Sequence, residues 1–185
     1  MQNKNVYNLS VVILSIISLL SSITLNYGYT YPQFVTALTF IFYFRCFVFK
    51  KAKNPIIFGA VILINLSSTL FFRLSIMGGI TWQNLSIFIL HTVLPLTVIY
   101  DYVAFFKKGN FKIYYPFIWA MAPMLFLASS YFLISKSKIT YPYFFMNSSA
   151  YGLKPVLYLI FLILIVLLIL GYVLVLVDKV LRKEV

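Results

Sequence analysis

The only histidine of the chain, His91, lies in the apolar segment FILHTVLPLTVIYDY (88–102), four residues before Pro95. A neutral imidazole can act as a general base, and Pro95 lacks the N–H that would bond the His91 carbonyl in an α-helix. In lipid, that carbonyl needs a neighbouring side chain or water as its donor. The pattern predicts a bent helix with a polar site at His91. A packing kink with a histidine that bonds to a neighbouring helix explains the same residues.

Few other side chains could join His91 in a reaction. With three acidic residues and one cysteine in the chain, neither a metal site nor another cofactor site is expected. Asp101 follows His91 by ten residues, about 15 Å and 80° around one helix, which is too far to orient the imidazole. Because charges inside membranes tend to pair, we expect Asp101 to form an ion pair with Arg45.

Composition predicts where these residues lie. Hydrophobic residues make up 63% of the 185 residues and charged residues 10%, and the mean hydropathy is +0.99. A soluble domain is about half apolar and a quarter charged. The apolar residues fall in blocks of about twenty, the length of a membrane-spanning helix. We expect an all-α, polytopic membrane helical bundle that forms one integral membrane domain over 1–185. The six predicted transmembrane helices cover about 7–27, 33–50, 55–77, 82–106, 114–134 and 155–178.

The net charge of +12 is explained by the same arrangement. Most basic residues flank the apolar blocks, as the positive-inside bias predicts, so membrane lipids are the expected partners and nucleic acid is not. Lysines lie between the second and third blocks (Lys50, Lys51, Lys53), between the fourth and fifth (Lys107, Lys108, Lys112), and after the sixth (Lys179, Lys183). These positions predict that both termini are cytoplasmic.

Polar residues form stripes on three of the predicted helices at 100° per residue. The stripes consist of Thr36, Thr39, Tyr43, Cys46 and Lys50; Asn65, Ser68, Thr69 and Arg73; and Asn84, His91, Pro95 and Tyr102. Polar groups inside a membrane usually face the bundle interior, so these helices should line a shared polar interior. The sixth block is apolar all round and should face lipid. The predicted topology brings Thr36, His91 and Arg73 together in the outer half of the bundle.

Three segments in this order resemble a known family. They are FVTALTF (34–40), HTVLP (91–95) and TYPYFFMN (140–147) followed by Gly152. Each is similar to a signature of the six-helix membrane proteins that include the androgen-induced-gene product and its bacterial relatives. The resemblance covers the whole six-helix layout and implies a multi-pass protein of a bacterial cell membrane. In two places the chain departs from the family pattern: Asn147 replaces an acidic residue, and Phe144 replaces a proline that is frequent in bacterial members.

Animal members of that family are threonine hydrolases of fatty acid esters of hydroxy fatty acids. The resemblance therefore implies an intramembrane lipid-ester hydrolase with Thr36 as nucleophile and His91 as base. Arg73 could bind a fatty-acid carboxylate or extend to the interface. Tyr141 and Tyr143 could cap the cavity or anchor the loop in the interface. The candidates for contacts with the substrate are Arg73, Asn65, Asn84, Tyr141, Tyr143 and Asn147, and a backbone carbonyl, Asn65 or Asn84 could fix the His91 tautomer.

Two other functions are compatible with the same residues. The first is a non-enzymatic lipid-binding or regulatory membrane protein whose polar interior is structural. The second is a small transporter or proton pathway that uses His91. The transporter is less favoured, because the chain has neither paired broken helices nor a series of acidic groups within its spans.

Overall fold

A computed structural model describes residues 2–24, 30–75, 88–135 and 147–182, and its regular structure in these ranges is entirely helical. The elements are α1 (Gln2–Thr24), α2 (Tyr31–Val48), α3 (Pro55–Ser75), a π-helical turn (Ile89–Val93) that continues into α4 (Leu94–Phe105), α5 (Tyr115–Ser135), a one-turn helix (Ser148–Tyr151) and α6 (Leu153–Arg182). The predicted all-α class is confirmed, and each predicted span overlaps one of these helices.

Local sequence sets where α2 and α3 begin. The Gln33 side chain accepts a hydrogen bond of 3.2 Å from the Thr30 N–H, while Pro32 lies in the first turn of α2. The Asn54 side chain accepts from the Ile56 N–H at 2.9 Å, and Pro55 is the first residue of α3. Proline is well suited to a first turn because its missing N–H would have no intrahelical partner there. Both helices therefore start at fixed positions.

Helix α3 is the centre of the bundle. It packs against α2, α4, α5 and α6, and against the π-helical turn. Four consecutive residues, Val61 to Ile64, are each at most 3% exposed, so every side of α3 is covered at this level. At Gly59, α3 lies directly against the ring of Trp119 on α5. The polar residues of α3 are consequently held among neighbouring helices.

The loops 49–54 and 106–114 lie at one end of the bundle, here called the loop end. Asp101 on α4 forms a buried ion pair there with Lys53, and it also accepts a hydrogen bond from the Tyr43 hydroxyl. The predicted pairing of Asp101 with Arg45 is wrong, and Arg45 is exposed. Lys53 reaches Asp101 because the loop between α2 and α3 folds back over the helix ends.

A second buried carboxylate also lies at the loop end. Asp178 on α6 accepts hydrogen bonds from the Tyr102 hydroxyl at 2.9 Å and from the Phe111 N–H at 2.8 Å. The side chain thereby joins α4, the 106–114 loop and α6. Its buried charge is met by two donors, as a buried carboxylate requires.

Many polar residues lie inside the bundle beside its apolar core. Among the described residues, thirteen polar or charged ones are buried: Asn8, Ser15, Ser18, Thr36, Thr39, Lys53, Asn65, Ser67, Ser68, His91, Asp101, Ser130 and Asp178. Large apolar side chains cover the outside, and in α6 the buried residues form one narrow stripe. Two helices, Tyr115–Leu133 and Leu153–Arg182, are long and apolar enough to cross a membrane. Together these features indicate a protein associated with a membrane.

Candidate functional site

The polar stripes of α2 and α3 meet at Asn65. Its Nδ2 donates to Thr39 Oγ1 at 2.9 Å and to the Val61 carbonyl at 2.8 Å, and Asn65 is 1% exposed. Thr39 Oγ1 in turn donates to the Val35 carbonyl at 2.8 Å. The Thr39 hydroxyl and the Asn65 Nδ2 are thus both bonded inside the bundle, and their contact joins α2 to α3.

The π-helical turn carries His91. At its end, the Leu94 N–H bonds to the Ile89 carbonyl rather than to the carbonyl four residues back. Thr69 Oγ1 on α3 donates to the His91 carbonyl at 3.0 Å and lies 3.2 Å from the Asn65 carbonyl. The prediction that a neighbouring side chain meets this carbonyl is confirmed. Wide turns of this kind are rare and frequently occur at functional sites.

The imidazole of His91 is 6% exposed and hydrogen-bonds to the backbone of Ser68 on α3. A backbone carbonyl, Asn65 and Asn84 were the candidates for orienting this ring, and the ring bonds to a backbone group. The amide Nδ2 of Asn65 is directed to Thr39 and Val61 instead, and Asn84 lies outside the described residues. A ring N–H that donates to a carbonyl leaves the other nitrogen of a neutral imidazole as an acceptor.

Thr36 lies at the same level of the bundle as His91. Measured along each helix from its loop end at 1.5 Å per residue, Thr36 is about 18 Å from Val48 and His91 is about 21 Å from Phe105. On α2, Thr36 lies one turn from Thr39 and on the same face. On α3, Ser68 lies one turn from Asn65. Thr36 thus lies one helical turn from the Thr39–Asn65 contact, and His91 bonds to α3 at Ser68, one turn from the same contact.

The hydroxyl of Thr36 donates to the Pro32 carbonyl of its own helix at 2.8 Å, and the residue is 1% exposed. A threonine hydroxyl in this rotamer has its proton directed into the helix rather than toward a base. For Thr36 to act as a nucleophile, its χ1 angle would have to change. The position of Thr36 in the bundle does not by itself make this hydroxyl a nucleophile.

The remaining predicted substrate contacts differ in placement. Arg73 belongs to α3, but its side chain is not among the described ones. Asn84, Tyr141 and Tyr143 lie outside the described residues. Asn147 Oδ1 accepts a hydrogen bond of 3.1 Å from the Ala150 N–H and caps the one-turn helix. Of the six residues, Asn65 is the one whose side chain is seen in the polar interior.

Sequence analysis missed two contributors to the polar interior. The Tyr31 hydroxyl lies 2.7 Å from Ser67 Oγ, and both residues are at most 1% exposed. Tyr31 precedes the predicted start of the second span at residue 33, so it was not assigned to the polar stripe of that helix. The adjacent Pro32, which marks a first helical turn, was the signal that could have placed Tyr31 inside α2.

Within the ranges the structure describes, no three His, Cys, Asp or Glu side chains gather closely enough to hold a metal ion. No protein-family model matches the chain, and neither a curated protein nor a solved structure is significantly similar to it.

Proposed function

We propose that this chain is a multi-pass protein of a bacterial cell membrane, with six spans and both termini in the cytoplasm. The proposal is supported by the buried polar residues and the apolar exterior of the bundle. In water, an exterior of this kind would favour aggregation, whereas in lipid it has no such cost. The lysines at the loop end would then face the cytoplasm, where the positive-inside bias places them.

We further propose that the polar interior supports hydrolysis of fatty-acyl esters, with Thr36 as nucleophile and His91 as general base. The observation that carries this proposal is the buried imidazole on a π-helical turn, bonded through one side to the backbone of Ser68. That bond favours the tautomer whose second nitrogen can accept a proton. Thr36 is the buried hydroxyl at the same level that the resemblance assigns as nucleophile.

The reaction proceeds in two balanced steps. In the first, Thr36 Oγ attacks the ester carbonyl carbon while His91 accepts the hydroxyl proton, and the C–O bond to the alcohol breaks as His91 returns that proton to the leaving oxygen. In the second, His91 removes a proton from water, which attacks the acyl-threonine. The bond between the acyl carbon and Thr36 Oγ breaks as His91 returns that proton to Oγ, so the fatty acid leaves and the Thr36 hydroxyl is restored.

Before the first step, the hydroxyl of Thr36 must leave the Pro32 carbonyl. Threonine in a helix populates two χ1 rotamers, and one of them gives this bond within the helix. Rotation costs about the net value of one hydrogen bond, 0.5–1.5 kcal/mol. That cost is small beside the barrier lowering of about 8 kcal/mol or more that enzymes achieve.

A second candidate is a non-enzymatic membrane protein whose polar interior holds the helices together. It is favoured by the present use of the polar groups: Thr36 bonds within α2, Asn65 joins α2 to α3, and Thr69 joins α3 to the turn at His91. Interhelical bonds of this kind stabilise membrane bundles by about 0.6–2 kcal/mol each.

Hydrolysis of a long-chain acyl ester by the purified protein in detergent tests the two candidates. We expect Thr36→Ala and His91→Gln each to lower the rate at least about 100-fold, the usual contribution of a positioned acid or base. Thr36→Ser should retain activity. Thr97→Ala is the matched control, because Thr97 also donates to a carbonyl of its own helix, at 2.7 Å.

The enzyme proposal would be rejected if Thr36→Ala or His91→Gln hydrolysed the ester at the rate of the wild type. It would also be rejected if the wild-type protein hydrolysed no acyl ester. Helix content by circular dichroism and a monodisperse elution profile establish that each variant is folded.

The membrane topology is tested separately with single cysteines in a Cys46→Ala background. An impermeant maleimide added to intact cells should label Asn147→Cys. The maleimide should label Lys51→Cys and Lys112→Cys only after the cells are opened. Labelling of the lysine positions in intact cells would contradict the proposed orientation.

A further inference from the structure

An apolar groove runs along the outside of the bundle between α2, α3 and α5. Its volume is about 220 Å³, and its walls are formed by Leu38, Ile41, Phe42, Arg45, Ile57, Ala60, Val61, Ile64 and Ala122. Ile41 and Ile57 are 59% and 40% exposed, so the groove is open along its side. It does not include Thr36 or His91, and the proposed reaction leaves it without a role.

The charge in this groove is confined to one end. Arg45 is the one ionisable residue in the lining, and it is exposed three residues before the end of α2. Neither described carboxylate neutralises it, because Asp101 pairs with Lys53 and Asp178 accepts from Tyr102 and Phe111. The guanidinium therefore lies at the loop end and can bind an anion.

The deep end of the groove lies about one leaflet's depth from the ends of α2 and α3. Leu38, at its deep end, is ten residues from Val48, or about 15 Å along α2. Ile64, at the deep end of the α3 wall, is nine residues from Pro55, or about 14 Å. The hydrocarbon core of a bilayer is about 30 Å thick, so each leaflet supplies about half of that depth. An acyl chain in this groove would put its headgroup beside Arg45.

We propose that the groove binds one anionic glycerophospholipid of the leaflet at the loop end, with an acyl chain against α2 and α3 and the phosphate on Arg45. Arginine binds phosphate through two parallel N–H bonds. The exposed lysines of the 49–54 loop, Lys50 and Lys51, raise the local concentration of anionic lipid. The groove volume is below that of a pocket for a whole drug-sized ligand, so it suits part of a chain rather than an entire lipid.

This inference rests on the proposed placement of the bundle in a bilayer, which the cysteine labelling tests on its own. It holds whether or not Thr36 and His91 are catalytic. Loss of ester hydrolysis and loss of lipid binding are measured on different variants, so one proposal can fail without the other.

Native mass spectrometry of the detergent-solubilised protein, titrated with phosphatidylglycerol, tests the site. We expect one lipid to remain bound at low lipid concentration. Arg45→Gln should weaken phosphatidylglycerol binding about tenfold, the effect of losing a charge-assisted hydrogen bond. Binding of phosphatidylcholine should weaken less, because its choline ammonium already neutralises the phosphate charge. Arg45→Lys should retain part of the preference. Ala60→Leu, which fills the groove, should weaken binding of both lipids.

Two control variants match these changes outside the groove. Lys107→Gln removes one exposed charge at the same loop end but outside the groove, and Ala104→Leu enlarges an exposed alanine near the end of α4. Both should bind lipid as the wild type does. Inorganic phosphate should not compete at the concentrations that saturate the lipid site, because it has no acyl chain.

Equal binding by the wild type, Arg45→Gln and Ala60→Leu would overturn the proposal. Equal losses in the test and control variants would overturn it as well, because they would indicate unspecific lipid around the protein. Competition by inorganic phosphate at millimolar concentration would show that Arg45 forms a simple anion site and not a lipid site.

Discussion

Thr69 Oγ1 on α3 donates a hydrogen bond of 3.0 Å to the backbone carbonyl of His91. The contact compensates for Pro95, which has no N–H to offer that carbonyl. It also holds the π-helical turn against α3, the central helix of the bundle. A single side chain thereby connects the helix interruption to the buried imidazole.

The coupling between Thr69 and Pro95 can be measured with a double-mutant cycle. Thr69→Val leaves the His91 carbonyl without this donor and should lower the free energy of unfolding by about 1–3 kcal/mol. In a Pro95→Ala background the same change should cost less, because the restored backbone N–H can bond to the freed carbonyl. Unfolding in detergent, followed by circular dichroism, gives the four free energies. Additive effects of the two substitutions would show that Thr69 and Pro95 act independently.

Helical periodicity was sufficient to predict the buried faces. Thr36, Thr39, Tyr43 and Cys46 share one stripe, and all four are at most 4% exposed in the structure. Lys50, the fifth predicted member, lies beyond the end of α2 and is exposed. The argument succeeds because a polar side chain in an apolar helix has few favourable positions other than the bundle interior. The position of Pro95 likewise predicted that the His91 carbonyl would lack its helical donor, since the effect of a proline on its helix is local.

Partner choice could not be predicted in the same way. Arg45 near the end of the second span and Lys53 just after it were both candidates for pairing with Asp101. The selection depends on the path of the 49–54 loop. The Thr36 rotamer is likewise invisible in sequence, because a threonine hydroxyl can bond within its own helix or to another group. Contacts that depend on loop path or side-chain rotation therefore required the structure.

The ion pair between Lys53 and Asp101 is buried, with side-chain exposures of 2% and 0%. Lys53→Met should lower the free energy of unfolding by about 3–5 kcal/mol, because it leaves the Asp101 charge buried and unpaired. The double variant Lys53→Met with Asp101→Leu should recover most of that loss. Lys51→Met, at an exposed lysine of the same loop, should stay within about 0.5 kcal/mol of the wild type. A loss in Lys53→Met no larger than in Lys51→Met would contradict a buried pair.

The stability of the loop end should depend on alkaline pH. Burial lowers the pKa of Lys53 below its ordinary value of 10.5, and the nearby Asp101 carboxylate offsets only part of that shift. Between the two pKa values the unfolded chain holds more protons than the folded chain, so this group's contribution to stability rises with pH. In Lys53→Arg the guanidinium stays charged throughout this range.

The free energy of unfolding of the wild type, relative to Lys53→Arg, should therefore increase as the pH rises toward 10.5, the ordinary pKa of lysine. Denaturant titrations of both proteins at several pH values measure this difference. A difference that stays constant or falls as the pH rises would show that the folded chain does not release the Lys53 proton at a lower pH than the unfolded chain.

Gly59 permits the close packing of α3 against α5. A β-carbon at this position would lie 2.0 Å from Trp119 Cζ2, and Trp119 is fully buried. Gly59→Ala should lower the free energy of unfolding by about 1–3 kcal/mol, the usual cost of overpacking, although alanine favours the helix. Trp119→Phe removes the part of the ring that the new carbon would meet. It breaks no hydrogen bond to the rest of the described chain, since the indole nitrogen has no partner there. In that background Gly59→Ala should cost less, and an equal cost in both backgrounds would locate the strain elsewhere than at the Trp119 ring.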